Sequence, residues 1–234
     1  VEADDEGLYV LKFRGAGQGP KALIAELLGG ELARAAGLPV PEIVFIDLDA
    51  DLARTEPDPE IQALIQASAG LNLALDYLPG SIMFDPVVTQ PDTVLASRIV
   101  WFDAFVTNVD RTARNTNMLM WHRALWLIDH GAALYFHHSW EGWRERIGDR
   151  FTMIRQHVLL PFASQLAKAA EEMSARLTPD IIREKVALIP DAWLGGDGAF
   201  ASPEFYRSAY AEYLTRRLQT PQPFLEEAVR ALSV

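Results

Sequence analysis

The chain has 234 residues, of which 50% are hydrophobic and 23% are charged, as in one large or two small globular domains. Its net charge of −11 argues against a surface that coats nucleic acid and against a polybasic membrane patch, but not against a nucleotide neutralised by a metal. Cysteine is absent, which excludes disulfides and thiol catalysis and fits a cytoplasmic location. No apolar run approaches the roughly 18 residues of a membrane span, so no membrane partner is expected.

The N-terminal end is acidic and carries no signal peptide. Because the chain begins with Val1 and not with Met, we expect it to be a fragment or a trimmed product, with a further segment before Val1.

The first predicted elements are a strand and a helix. Residues 8–13 alternate as a strand that places Lys12 on the same face as two apolar residues. Such a lysine is expected to point into a cleft toward phosphates. A glycine-rich connection follows, and a helix is predicted for residues 20–36, with Pro20 at its first position.

Glu26 flanks the apolar stripe of that helix and is expected to point partly inward. A buried carboxylate requires a cationic partner, and Lys12 on the preceding strand is the natural candidate. A strand lysine paired with a glutamate on the next helix is the arrangement that fixes the lysine of kinases against the phosphates. The alternative is a solvated glutamate beside a lysine that extends to solvent.

The glycine-rich connection, residues 15–20, has two interpretations. A turn of this kind before a helix could hold a phosphate at the helix N-terminus. No Walker or dinucleotide pattern is completed, since Pro20 and Lys21 occupy the later positions, and a flexible loop is favoured.

The rest of the first unit is predicted to be a second strand (residues 43–48), an exposed acidic loop (49–59) and a third strand (71–78). The backbone at the end of the third strand is predicted, from element order alone, to be a hinge that contacts an adenine ring. It comprises Asp76, Tyr77 and Leu78. A plain strand end explains the same pattern equally well.

A long helix over residues 90–107 is predicted next, hydrophobic nearly all round in its second half and therefore in the core. It delivers the chain directly to Asn108 and Asp110. Asp103, embedded in its apolar stretch, is predicted to be structural, bonded to a backbone amide or to Arg111.

The segment after this helix has the composition of a phosphoryl-transfer site. Asp110 is followed five residues later by Asn115, the offset of the catalytic loop in kinases, and Asp129 precedes His-Gly where kinases have Phe-Gly. Residues 118–121 and 124–128 predict a hairpin that brings Asn115 and Asp129 together. The alternative is a surface hairpin with polar ends.

The histidines around this segment are His122, His130, His137 and His138. A zinc site is disfavoured, because adjacent histidines in a strand point to opposite faces and no His-Glu-x-x-His helix exists. His130 is predicted to order the loop behind Asp129.

Helices are predicted for residues 162–177, 179–188, 203–218 and 223–232, as a scaffold with a possible role in docking. Thr178 and Ser202 precede prolines and are predicted to be helix N-caps. Residues 192–198 predict a flexible interruption, either a lid or a loop.

Taken together, these residues resemble the HipA-like kinase domains, atypical kinases related in fold to protein kinases and phosphoinositide kinases. The matching segments, which span residues 9–131, are 9–13, 25–27, 32–41, 108–111, Asn115 and 127–131.

The resemblance implies an α+β, two-lobed protein-kinase-like fold. Residues 1–80 would form a small lobe of sheet and helix, truncated before its lysine strand, and residues 81–234 a larger, mainly helical lobe with a catalytic hairpin. It also implies that Lys12 holds phosphates, Glu26 fixes Lys12, Asp110 is the catalytic aspartate, and Asn115 and Asp129 bind magnesium.

ATP would be the phosphate donor, and a serine or threonine of a protein the acceptor. Better-known relatives act in toxin–antitoxin systems, so an antitoxin-like partner is also implied.

Two departures qualify the resemblance. Thr112 stands where many relatives have histidine, and the loop expected to cover the nucleotide before the lysine strand is not in the sequence. The alternatives are therefore a catalytically weak module for nucleotide binding or protein interaction, and a small-molecule kinase with the same ATP site.

Overall fold

The structure, a computed structural model, describes residues 1–233 and contains two three-stranded antiparallel sheets. The first sheet has the order β1-β3-β2 and consists of Tyr9–Lys12 (β1), Ile43–Leu48 (β2) and Gly70–Asp76 (β3). The second has the order β4-β5-β6 and consists of Ile82–Met83 (β4), Met118–Trp121 (β5) and Ala124–Leu127 (β6).

The described residues also contain seven α-helices. They are Pro20–Ala35 (α1), Pro59–Ala67 (α2), Thr93–Val106 (α3), Leu166–Arg176 (α4), Pro179–Ala187 (α5), Pro203–Gln219 (α6) and Gln222–Leu232 (α7). This mixture confirms the predicted α+β class. None of the helices within residues 1–233 has the length and apolar character needed to cross a membrane.

The predicted hairpin is confirmed as β5 and β6. Met118 pairs with Leu127 and Trp121 with Ala124, so the hairpin closes on a two-residue turn. The turn residues His122 and Arg123 have φ of 48° and 66°, the left-handed conformation that matches the twist of a tight hairpin. This pairing brings the chain just before β5 next to the chain just after β6.

The acidic loop predicted for residues 49–59 is partly wrong, because Ala50–Thr55 forms a 3-10 helix and α2 begins at Pro59. The carboxylate of Asp58 accepts a hydrogen bond from the N–H of Glu60 at 2.8 Å, so Asp58 is an N-cap followed by proline. The acid and the proline that indicated a loop are in fact the start of a helix that the sequence interpretation missed.

The predicted ends of two later elements also shift. Helix α4 begins at Leu166 and not at residue 162, because Leu160–Phe162 forms a separate 3-10 turn. Thr178 accepts from the N–H of Ile181 at 3.3 Å and is the predicted N-cap of α5. Ser202 occupies the predicted N-cap position of α6, directly before Pro203, although its side chain makes no capping hydrogen bond.

Helix α3 lies at the centre of the core, as its all-round hydrophobicity predicted. From Ala96 onward all of its residues except Arg98 are buried, and it packs against α4, α6 and α7. At its C-terminal end the buried Arg217 donates hydrogen bonds at 2.9 Å to the carbonyls of Ala104 and Phe105. Carbonyls there have no partner within the helix, so Arg217 fixes the position from which the next loop starts.

Candidate active site

Lys12 lies between two carboxylates that come from distant parts of the sequence. Its Nζ is 2.9 Å from Oδ1 of Asp129 and 3.8 Å from Oε2 of Glu26. We call these three residues the lysine cluster. The strand, the helix and the loop after the hairpin therefore meet at one point, and Glu26 points inward as the sequence indicated.

Glu26 is the buried member of the lysine cluster, with 1% of its surface exposed. Burial favours the neutral acid, but His130 and the charge of Lys12 outweigh burial and lower the pKa of Glu26 to about 2. Burial likewise opposes the charge on Lys12, yet the carboxylates of Glu26 and Asp129 raise the pKa of Lys12 above its usual value. Lys12 and Glu26 are therefore both charged at neutral pH.

His130 packs behind the cluster. It is fully buried, its Nδ1 lies 3.8 Å from Oε1 of Glu26, and its ring meets Phe102 edge-on at 6.5 Å. An added Cβ on Gly29 of α1 would lie 2.7 Å from the Cβ of His130, so this approach requires a glycine. The residue that follows Asp129 is thus held by the interior, which agrees with the predicted ordering role of His130.

Asp110 and Asn115 form a second group, which we call the loop pair. Nδ2 of Asn115 donates to Oδ2 of Asp110 at 2.8 Å. The Asn115 side chain is exposed, and Asp110 is partly buried. The N–H of Asp110 also donates to Oδ1 of Asn108 at 3.2 Å, which fixes the turn of the loop.

Asn117 is a functional candidate that the sequence interpretation missed. It is buried, has φ of 48°, and its Nδ2 donates to the carbonyl and to Oδ2 of Asp110 at 3.2 and 3.3 Å. The signal was visible as a second asparagine two residues after Asn115. It was overlooked because the kinase offset alone selects Asn115.

A buried ion pair holds the loop from below. Nε of Arg111 donates to Oδ2 of Asp103 at 2.6 Å, and the same oxygen lies 2.9 Å from Nε2 of His157. Burial opposes ionisation of Asp103, but Arg111 and then His157 lower its pKa well below the usual range. The structural role predicted for Asp103, as the partner of Arg111, is confirmed.

Arg111 also connects the loop pair to the lysine cluster. Its Nη1 donates to the carbonyl of Asn117 and, at 3.4 Å, to the carbonyl of Ile128, the residue before Asp129. The N–H of Ile128 donates to the carbonyl of Asn117 at 3.0 Å. Within residues 1–233 no hydrogen bond or ion pair joins the two groups directly, so their relative position depends on this backbone bridge.

The predicted hinge lines a cavity of about 130 Å³ that also reaches the lysine cluster. Its walls include Val10 and Ile128 as well as Lys12 and Asp129. All three hinge residues line it: Asp76, Tyr77 and Leu78. We call it the hinge cavity.

The backbone of the hinge has one free donor. The N–H groups of Asp76 and Tyr77 donate to the carbonyls of Glu42 and Leu8, whereas that of Leu78 has no acceptor within the described part of the chain. An apolar slot with a free backbone donor fits a flat heterocycle.

A second cavity, of about 190 Å³, lies on the other side of the lysine cluster. It is lined by Lys12, Glu26 and Asp129 and by the glycine-rich connection at Gly17 and Gln18. The lysine cluster therefore stands between the hinge cavity and this second cavity, which we call the glycine-lined cavity. The carboxylate oxygens of the lysine cluster are suited to bind a metal ion, and the ammonium group of Lys12 is suited to bind a phosphate group.

No group of three or more His, Asp or Glu side chains in residues 1–233 is arranged to hold a metal ion. Magnesium beside nucleotide phosphates needs only one or two protein ligands, so the pair Asn115 and Asp129 stays a prediction. His137, one of the histidines considered for a zinc site, lies in the core, where its Nδ1 is 2.9 Å from the hydroxyl of Tyr210.

The two small antiparallel sheets, the hairpin and the mainly helical remainder define a two-lobed kinase-like fold, in which Lys12 meets Glu26 and Asp129. A family model that describes HipA-like kinases matches residues 1–222, so the chain belongs to that family. Among solved structures, the Helicobacter pylori proinflammatory kinase CtkA is similar, with a TM-score of 0.57 and 14% identity over 98% of this chain and 92% of that chain. A comparison with curated proteins found no match.

Proposed function

We propose that this chain transfers phosphate from ATP, in the presence of magnesium, to a serine or threonine hydroxyl of a protein. The observation that carries the proposal is the lysine cluster between the hinge cavity and the glycine-lined cavity, with the loop pair connected to it through Arg111. Bound ATP would supply the phosphoryl group, and magnesium would neutralise its charge.

Each residue has a distinct task in this proposal. The N–H of Leu78 and the apolar walls at Val10 and Ile128 orient the adenine ring. Lys12, held by the buried Glu26, binds the phosphates, which is why a carboxylate is retained in the core. Asp129 and Asn115 hold the metal.

Asp110 acts on the acceptor. Its Oδ2 accepts hydrogen bonds from Asn115 and Asn117, so the carboxylate is fixed in one orientation. The oriented carboxylate receives the proton of the acceptor hydroxyl as that oxygen attacks. Partial burial of Asp110 and its fixed partners supply the preorganisation that the transfer needs.

The family supports two further parts of the proposal. A regulatory partner of the antitoxin type and a cytoplasmic location both fit a HipA-like kinase with no cysteine.

The test is transfer of labelled phosphate from ATP, with magnesium, to the protein itself and to added protein substrates. We expect transfer by the unchanged chain and its loss in Asp110→Ala, with ATP binding retained in both. Equal labelling by both proteins would refute the role of Asp110. ATP binding without any transfer would identify a nucleotide-binding module instead, and transfer to small hydroxyl compounds alone would identify a small-molecule kinase.

A further inference from the structure

A further cavity, beside the catalytic loop that contains Asp110, is separate from the two that flank the lysine cluster. It has a volume of about 580 Å³ and shares no lining residue with the hinge cavity or the glycine-lined cavity. Val109, which precedes Asp110, forms part of its wall. The cavity therefore adjoins the catalytic loop on a side that the proposed nucleotide site does not use. We call it the acceptor cavity.

Hydrogen bonds attach one wall of the acceptor cavity to the catalytic loop. The N–H of Tyr135 donates to the hydroxyl of Thr107 at 3.2 Å, and both residues line the cavity. The 3-10 segment Thr152–Gln156, which contributes further wall residues, is followed directly by an antiparallel bridge between His157 and Thr112. This wall therefore has a fixed position relative to the catalytic loop.

Arg217 fixes another part of the wall, the segment that contains Asp149. Its Nη1 donates to the carbonyls of Ile147 and Asp149 at 2.8 and 2.9 Å, while its other nitrogens bind the end of α3. Asp149 lines the cavity, and the segment that contains it is therefore tied to the helix from which the catalytic loop begins. Both walls have defined positions relative to the loop, as a specificity pocket requires.

The chemistry of the acceptor cavity is apolar with a cationic edge. Its apolar surface comes from six side chains: Val109, Tyr135, Phe136, Phe151, Met153 and Tyr213. Two arginines line the same cavity, with Asp149 as the one acid among the lining residues. The lining of the cavity is therefore net positive, although the chain as a whole has a net charge of −11.

Neither arginine is neutralised by a carboxylate. Arg150 makes no hydrogen bond or ion pair within residues 1–233, and its side chain is exposed. Arg146 donates only to backbone carbonyls, those of Ser139 and Glu141, and its Nε is buried with no partner among the described residues. An unpaired guanidinium beside an apolar hollow fits a ligand that has an apolar body and an acidic group.

We propose that this cavity binds the acceptor protein beside the residue that is phosphorylated, and that it selects a large apolar side chain with acidic residues next to it. The proposal rests on the proposed kinase function and adds the class of substrate. A protein segment is favoured over a free small molecule because the cavity is open. Tyr135 is 61% exposed and Met153 39% exposed, so the walls fit one side chain of an extended segment better than they enclose a whole ligand.

The test measures binding, which does not depend on catalysis. A short fluorescent peptide with one serine, followed by phenylalanine and two glutamates, is titrated with the full chain and followed by anisotropy. Matched peptides replace the glutamates by lysines or the phenylalanine by alanine. We expect the phenylalanine–glutamate peptide to bind best, with a loss of roughly fivefold for either change.

Charge reversal assigns the acidic preference to a residue. In Arg150→Glu we expect the glutamate peptide to bind roughly fivefold more weakly and the lysine peptide to bind better than it does to the unchanged chain. Arg155→Glu is the matched control, since Arg155 is exposed in the adjacent 3-10 segment but does not line the cavity. Met153→Asp is expected to remove the advantage of phenylalanine over alanine.

The outcomes separate this inference from the kinase proposal. No preference among the peptides, or equal effects of Arg150→Glu and Arg155→Glu, would overturn the assignment of the acceptor cavity even if Asp110-dependent transfer is observed. Peptide selectivity that depends on Arg150, together with Asp110-dependent transfer, would support the assignment. The same selectivity without any transfer would refute the kinase proposal and overturn the role of the cavity as an acceptor site, leaving it a peptide-binding site.

Discussion

Nζ of Lys12 lies 2.9 Å from Oδ1 of Asp129, although the two residues are 117 positions apart in the sequence. The contact links the lysine expected to bind phosphates to an acid expected to bind metal. Glu26 adds a second carboxylate at 3.8 Å, so the lysine cluster carries two acids and one base. A phosphate group and a divalent cation would satisfy the base and the exposed acid together, which is the basis of the first prediction.

Asp129→Asn is expected to weaken the binding of ATP with magnesium by roughly 10–100-fold, since an amide is a poorer ligand for a hard cation. The side chain of Asp129 is 45% exposed, so its pair with Lys12 contributes at most about 1 kcal/mol to stability. Calorimetric titration and a melting curve measure the two effects. Asp47→Asn, at an exposed position of β2, is the matched control. Unchanged affinity would remove Asp129 from the site.

The two asparagines that contact Asp110 are expected to have different roles. Asn115 is exposed and makes one side-chain hydrogen bond, so Asn115→Ala should change stability by less than about 0.5 kcal/mol while raising the magnesium concentration needed for activity. Asn117 is buried, so Asn117→Ala should cost about 1–3 kcal/mol and lower the turnover number. Urea unfolding and a magnesium titration of the rate distinguish them. If both variants changed stability and the magnesium dependence of the rate in the same way, the assignment of Asn115 as a metal ligand would be wrong.

The elements around the site could be predicted because local patterns determine them. Strand alternation identified the strand that contains Lys12, and two apolar runs with a two-residue break identified the hairpin between Asn115 and Asp129. Glu26 could be placed because a carboxylate beside an apolar stripe needs a nearby cation.

Other features could not be predicted because they depend on contacts between distant segments. Arg111 bonds to the carbonyl of Ile128, and backbone acceptors leave no mark in a sequence. The acceptor cavity is built largely from short 3-10 turns between residues 135 and 156, which lack hydrophobic periodicity. Helix α2 was missed because its capping acid and first proline also indicate a loop.

The ionisation of Glu26 predicts how stability depends on pH. Its pKa in the folded protein is about 2, below the ordinary value of 4.5, so the carboxylate stabilises the fold above about pH 4.5, and this contribution is lost as pH falls toward 2. Glu26→Gln cannot ionise. The difference in unfolding free energy between the unchanged chain and Glu26→Gln should therefore narrow by about 2 kcal/mol between pH 7 and pH 3.

Urea unfolding at the two pH values measures this difference. Glu171→Gln, at an exposed position of α4, controls for the loss of one carboxylate elsewhere. The ion pair with Lys12 would be contradicted if the difference in unfolding free energy between the unchanged chain and Glu26→Gln stayed constant or widened as the pH falls.

The buried pair of Arg111 and Asp103 is expected to be strongly coupled. Asp103→Asn leaves the Arg111 charge in the core without a counter-ion and should cost about 3–5 kcal/mol. The double variant Asp103→Leu with Arg111→Met should lose less unfolding free energy than the single variants Asp103→Leu and Arg111→Met lose in sum. A double-mutant cycle by urea unfolding measures the coupling. Additive costs would show that the pair does not act as a unit in holding the catalytic loop.

Two neighbouring glycines of α1 offer the sharpest test of how His130 positions Asp129. A methyl group at Gly29 would lie 2.7 Å from the Cβ of His130, a rigidly packed atom, whereas one at Gly30 would meet the flexible end of Ile43. Both changes raise helix propensity by about 1 kcal/mol, so propensity cancels in the comparison. Gly29→Ala should displace His130, and with it Asp129, and so reduce the affinity for ATP with magnesium about tenfold, whereas Gly30→Ala should leave it unchanged.

Titration calorimetry of both variants measures this, with melting curves to show that each is folded. The displacement acts through packing, since α1 carries Glu26 on the same side of the cluster and cannot move away without separating Glu26 from Lys12. Equal affinities in the two glycine variants would mean that the loop after β6 tolerates the shift, and that His130 does not set the position of Asp129.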